Sequence, residues 1–178
     1  MIEREASFFH LEPEANRTQL ENLRGVLDSG SGKVVFGDTE VEASCGRVRI
    51  GPELTDPDAL PETILNVPGD TRAGPWRVSV RTEALAHSPE APSVAIASSS
   101  TRGVLRARRT APGDRIHWQG MERKVSDLLI NEKVPAWDRP GMVAIADAEG
   151  IVALFGSDHT FARDAASPDL WLKLSPLP

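Results

Sequence analysis

Along most of the chain apolar and polar residues alternate in short runs separated by Gly, Pro, Asp and Ser, and the spacing changes to three and four in two places. The first is Leu20, Leu23 and Leu27, which follow Thr18 and Glu21 at capping-box spacing and predict a short helix ending at 28–32. Strands are predicted at 33–36, 39–43 and 47–50, joined by Gly-Asp and Cys-Gly turns, with Cys45 a small strand or turn residue. Glu40 and Glu42 share a face of the middle strand, with Val41 between them, and read as a solvated face rather than a carboxylate pair. Prolines at 52, 57, 61, 68 and 75 mark 51–75 as a linker or loop-rich edge holding one short strand near 64–67. Strands at 76–82 and 94–97 flank a Ser-Pro turn, and 142–146 and 151–155 form a hairpin whose continuous apolar character predicts burial on both faces. Trp171, Leu172 and Leu174 make a closing strand, while Phe8, Phe9 and Leu11 are cut off by Pro13 before any period is established.

The second change of period follows the most informative stretch. Arg106, Arg108 and Arg109 lie on an alternating strand that begins at Val104. Pro112 and Gly113 turn the chain, since proline presets φ and glycine tolerates a positive one, and Asp114 accepts backbone N–H bonds inside that turn. Arg115 leads a strand in which Ile116 and Trp118 alternate with His117, and Gly120 ends it. Arg123 and Lys124 then lead into a helix with Val125, Leu128, Leu129 and Ile130 on one side and Ser126, Asp127, Asn131 and Glu132 on the other, stopped by Pro135. A basic pair at a helix N-terminus opposes the dipole, and free N–H groups there suit a phosphate. Trp118 fits either core packing beside Ile116 or stacking on a base, and His117 either an RNA contact or plain exposure.

Composition narrows the function classes. With 40% apolar and 26% charged residues the chain is neither disordered nor membranous. No apolar run reaches the ~18 residues that span a bilayer, and the first residues lack signal-peptide order, so a cytoplasmic protein with no membrane partner is expected. One cysteine rules out an internal disulfide framework, and four histidines without paired spacing leave a metal site unsupported. The formal charge is −6. Between 102 and 124, however, seven cations face two carboxylates, a local balance of about +5 against about −11 elsewhere, an asymmetry that suits one basic face directed at a polyanion, while charge alone fits a solvated face better. The run SGSGK at 29–33 is no Walker loop, because Leu27 stands where glycine is needed and Val34 where Ser or Thr is needed.

The run LRARR…PGDRIHWQGM…RKVSDLLINEKVP…R resembles the C-terminal domain of bacterial tRNA(Ile)-lysidine synthetase, whose members carry an arginine-bearing strand, a P-G-D-R turn, a G-M pair, two basic residues and a helix ending in K-x-P. The likeness continues through Arg139, MVAIADAEGIVALFG and DLWLKL, and reaches back more weakly through NVPGDT to about residue 15. It implies an α+β fold of mostly antiparallel sheet with few helices, like the domain shared with the phenylalanyl-tRNA synthetase β subunit. It also implies three segments: 1–50 resembling the end of the synthetase middle region, 51–75 a Pro-rich linker or loop, and 76–178 the C-terminal-like domain. The implied function is a tRNA-docking module of an enzyme that uses ATP to join lysine to the wobble cytidine of tRNA(Ile). The alternative is a free-standing paralogue acting as a protein-interaction or structural module without RNA binding. The family's S-G-G-x-D-S loop is missing, with Ser31 at the required second glycine, so no catalytic residue or cofactor is expected in this chain. ATP and Mg would belong to a separate PP-loop catalytic domain.

The resemblance implies RNA contacts at Arg106, Arg108, Arg109, Arg115, His117, Arg123 and Lys124, with Arg108, Arg115, Arg123 and Lys124 on matching family positions, and a structural turn at Pro112, Gly113 and Asp114. Its expected partners are tRNA and the catalytic domain, and a homodimer is compatible with it. Thr110, Ala111 and Ser126 stand where relatives carry further basic residues, which weakens the expected phosphate binding.

Overall fold

The computed structural model describes residues 16–55, 60–88 and 90–177. The chain divides into two compact units, Met1–Leu54 and Thr55–Pro178. The apolar residues Phe8, Phe9 and Leu11 lie outside the described residues.

In the first unit helix α1 (Arg17–Ser29) precedes an antiparallel meander of β1 (Gly32–Phe36), β2 (Thr39–Ser44) and β3 (Arg47–Pro52). The capping box is made by Asn16 and Gln19 rather than Thr18 and Glu21. Asn16 Oδ1 accepts from Gln19 N while Gln19 Oε1 accepts from Asn16 N, which satisfies two orphan donors at the helix start. Gly30 closes the helix at φ 68. Leu20 and Leu27 of the expected stripe are exposed, and half-buried Leu23 and Val26 supply the contact side instead. The β2–β3 turn places Cys45 and Gly46 at φ 53 and 76, as a two-residue hairpin with right-handed strand twist requires. Glu40 is no solvated residue. It is 2% exposed and held between Lys33 at 2.9 Å and Arg49 at 3.1 Å. Its hydrogen bond raises the pKa of the Lys33 ammonium.

The second unit carries β4 (Thr63–Ile64), β5 (Gly69–Ala73), β6 (Trp76–Arg81), β7 (Ser93–Ile96), β8 (Arg106–Arg109), β9 (Arg115–Trp118), β10 (Met121–Lys124), helix α2 (Val125–Asn131), β11 (Val143–Ala146), β12 (Ile151–Phe155), β13 (Thr160–Ala162) and β14 (Leu170–Pro176). One sheet has the order β10-β9-β12-β11-β8-β4 with β13 beside β12, and the other the order β5-β6-β14-β7. All pairings are antiparallel except β12 with β9. The stretch expected as a linker or loop over 51–75 therefore contains the end of β3, β4 and β5. β4 pairs with β8 and β5 with β6, so the unit boundary falls at Leu54 and these strands belong to the second unit. The fold is α+β, mostly antiparallel sheet with two α-helices among the described residues.

Two cores lie on the two faces of the larger sheet. Val143, Ile145 and Phe155 pack with Val78, Val80 and Leu172 of the second sheet. Ala144, Ala146 and Leu154 pack with Val125, Leu128 and Leu129 of α2. This is why β11 and β12 read as unbroken apolar runs, each buried residue contributing on the order of 1.5 to 3 kcal/mol where the side chain is large. A bulge between Ile145 and Ala146 sends both Val152 and Ala153 to the first core, and Arg163 N donates to the Val152 carbonyl it frees at 2.7 Å.

Candidate nucleic-acid interface

The basic stretch does not form one strip. β12 and β11 lie between β8 and β9 in the sheet, so its arginines fall into separate groups. On β8, Arg106 pairs with Glu62 at 3.1 Å. Arg108 donates from both Nη atoms to the two oxygens of Asp114, each at 2.8 Å. Asp114 N donates to Ala111 O at 3.1 Å and Asp114 Oδ2 accepts from Ala111 N at 2.7 Å, closing a turn in which Pro112 precedes Gly113 at φ 91. Burial raises the Asp114 pKa, and the hydrogen bonds from Arg108 and Ala111 outweigh it and leave the carboxyl below the usual carboxylate range. Arg108 is thereby committed to the turn. Arg109 donates to the carbonyls of Gly141 and Met142.

The pair Arg123 and Lys124 sits on a strand, β10, and not in the first turn of a helix. α2 starts after Lys124, and its first amide, Val125 N, donates to Asp114 O at 2.8 Å, so the expected helix-terminus phosphate site has lost its first donor. β9 and β10 are joined by Gln119 and Gly120 at φ 51 and 75. Two positive φ values at a two-residue hairpin are easily met by Asn-Gly and cost Gln some strain. Asp164 fixes the turn by accepting Gln119 N at 3.0 Å and Gly120 N at 2.7 Å. Those bonds, that of Gly120 first, hold its carboxyl below the usual range. The signal for this hairpin lies 44 residues from Gly120, which is why local pattern missed β10.

Register assigns the faces of the hairpin. Arg115 is opposite Lys124, and His117 opposite Glu122. These four share one face, while Ile116, Trp118, Met121 and Arg123 share the other. Trp118 packs against the α2 core, meets Phe161 edge to face at 5.9 Å between centroids, and carries the Arg123 guanidinium 5.5 Å above its ring. Its ring therefore serves the core and a cation. Arg123 and Lys124 have no carboxylate partner among the described residues.

The face bearing Arg115 and His117 borders a cleft of about 510 Å³ that Arg102 also lines, with Glu122, Glu149 and Asp164 among the cations. Arg115 pairs with Glu122 at 2.8 Å, Arg102 with Glu149 at 3.4 Å, and His117 Nδ1 lies 3.2 Å from Asp164. A buried clamp builds the cleft floor. Arg163 donates to both oxygens of Asp147 at 2.7 and 2.9 Å, and Asp147 also accepts from the amides of Arg102, Glu149 and Gly150. Burial pushes the Asp147 carboxyl up, and the opposing bonds from Arg163, Arg102 and Glu149 leave it below the usual range. Arg102, Glu149 and Arg163 were absent from the sequence-derived site. Arg102 stood within the basic stretch, but no local spacing links it to Asp147.

Among the described residues no group of three or more His, Cys, Asp and Glu is arranged to hold a metal, and no helix is long and apolar enough to cross a membrane. Comparison with known proteins gives a family match over residues 105–169, to the TilS substrate C-terminal domain. Among solved structures, a crystal structure of a TILS C-terminal domain is similar, with 18% sequence identity and a TM-score of 0.42 over 66% of this chain and 98% of that one. No curated protein matches the chain. The matched segment spans β9, β10, α2 and the Asp147–Arg163 clamp, and residues 105–169 form a TilS C-terminal-like region.

Proposed function

We propose that this chain is a tRNA-docking module of the tRNA(Ile)-lysidine synthetase type, acting in the cytoplasm. The β9–β10 face holds the body or acceptor stem of tRNA, and the ATP-dependent joining of lysine to the wobble cytidine takes place on a separate PP-loop domain that binds ATP and Mg. One observation carries this reading: Arg115 and Lys124, two cations, stand directly opposite each other on an exposed strand face. Like charges in that position destabilise a sheet by roughly 0.2 to 1 kcal/mol, and a phosphate seated between them removes the cost. A-form RNA is read through phosphates and 2′-OH groups, which suits a few cations on a rigid hairpin with no deep pocket. Arg115, Lys124 and His117 with Arg102 are the contacts of this reading; Arg123 adds charge on the other face of the hairpin. Arg108 acts on the turn.

The pairing of Arg106, Arg108 and Arg115 with carboxylates favours a second reading, a structural or protein-interaction module without RNA binding. Binding of unmodified tRNA(Ile) over a salt series, for wild type and Arg115→Ala/Lys124→Ala, separates the two. About four phosphate contacts give a log-log salt slope near −3, and the double variant is expected to lose about 1.5 of it with weaker binding. Absence of binding at low salt refutes the docking reading.

A further inference from the structure

The cleft beside β9 holds its own anions, and their placement has a consequence for binding. Arg115 and Glu122 lie on the same face of adjacent strands, with side chains 47% and 59% exposed and Nη1 to Oε2 at 2.8 Å. Arg102 and Glu149 repeat the arrangement across the cleft, 56% and 61% exposed at 3.4 Å. Exposed pairs of this kind are weak and readily exchanged. The backbones that carry these pairs are fixed. Arg115 belongs to the β9 ladder, and the backbone of Arg102 is fixed by its amide bond to buried Asp147 at 2.9 Å, with Nη1 on the carbonyls of Ser99 and Thr101. The glutamates are held through the backbone in the same way, Glu122 in the β10 ladder and Glu149 by its amide bond to Asp147 at 2.9 Å, so what exchanges is the exposed side-chain pairing.

We propose that Glu122 and Glu149 are built-in competitors, which occupy Arg115 and Arg102 in the free protein and surrender them to RNA phosphates. This rests on the docking reading and adds what sets its strength. A phosphate arriving at Arg115 must displace the Glu122 carboxylate, which is then left beside the RNA's own negative charge, and affinity is held down. Glu122 also acts in the unbound state, where it lies next to Arg115 and Lys124 and relieves their mutual repulsion. Removing its charge therefore pushes stability and affinity in opposite directions, which a purely structural ion pair does not do.

The test is the binding of unmodified tRNA(Ile) over a salt series to wild type, Glu122→Gln, Glu149→Gln and the double variant, with thermal melting of each free protein. Glu83→Gln, at an exposed position outside the cleft, controls for net charge, and Glu122→Asp retains the competitor. Each Gln variant is expected to bind about two- to fivefold tighter, the gain open to an exposed pair. The gain is expected to shrink as salt rises, because added ions screen the glutamate charge in the wild type. Glu122→Gln and the double variant melt lower without RNA, and Glu83→Gln and Glu122→Asp stay close to wild type. Unchanged or weaker binding by the Gln variants, with wild type still binding, overturns the competitor proposal and leaves the docking reading standing. An equal gain from Glu83→Gln overturns it as well, by reducing the effect to net charge. Absence of binding by wild type and every variant refutes the docking reading, and the proposal with it.

Discussion

Replacing Arg163 by Met removes one half of a buried ion pair and keeps most of its aliphatic stem. The side chain of Asp147 is 0% exposed and that of Arg163 9%, with bonds of 2.7 and 2.9 Å between them. The variant leaves the carboxylate in place with only the amides of Arg102, Glu149 and Gly150, at 2.9 to 3.1 Å. Breaking a buried pair from one side costs about 3 to 5 kcal/mol, and the three retained N–H bonds place this loss at the lower end, about 3 kcal/mol. Urea unfolding followed by tryptophan fluorescence reports it, because all four tryptophans, at 76, 118, 137 and 171, fall within Thr55–Pro178. With a slope of about 1 to 3 kcal/mol per molar urea, the midpoint drops by at least about 1 M. The loss also depends on pH with a definite sign. The folded carboxyl lies below its unfolded value, so its contribution is complete above about pH 4 and disappears as pH falls through the folded value. The gap between wild type and variant should therefore narrow in acid. A loss below about 1 kcal/mol at neutral pH, or a gap that persists in acid, refutes the assignment of Asp147 and Arg163 as the clamp of this cleft.

Three further outcomes are expected. Gly150 has φ 140, and a Cβ there would lie 2.9 Å from the Arg115 carbonyl oxygen, so Gly150→Ala should cost about 2 kcal/mol in urea unfolding and weaken tRNA binding by shifting β9. Gln119→Asn eases the positive φ of the β9–β10 turn and should raise stability by about 0.5 to 1 kcal/mol, read as a higher thermal midpoint. Asp164→Ala removes the acceptor for two turn amides and should cost about 1 to 2 kcal/mol, with faster amide exchange at Gln119 and Gly120.

The elements that sequence disclosed were those set by local rules. The unbroken apolar runs of β11 and β12 follow from burial on two faces, and the stripe of Val125, Leu128 and Leu129 from one buried helix side, whereas Ile130, expected on that side, is exposed. The turn at Pro112 and Gly113 follows from backbone chemistry, and Asp114 accepts backbone N–H bonds as its residue type suggests. What stayed hidden was set by partners distant in sequence. Met-Glu-Arg-Lys has no strand alternation, and β10 exists because Asp164 holds the preceding turn and β9 supplies the ladder. Glu40 looks solvated until Lys33 and Arg49 close over it. A count of positive charges likewise cannot show that Arg108 is spent on Asp114 while Lys124 is not. The two-residue stub of β4 was legible only in part, because its pairing partner β8 lies some forty residues further along.

Amide chemical-shift mapping of the whole chain with an RNA hairpin carrying the tRNA(Ile) acceptor stem would examine the docking face itself. The expected result is a set of shifts centred on Arg115, His117, Glu122 and Lys124 and extending to Arg102 and Glu149, reversed by salt. Shifts confined to α1 and β1 to β3, or no shifts at low salt, would contradict a tRNA-docking role for the β9–β10 face.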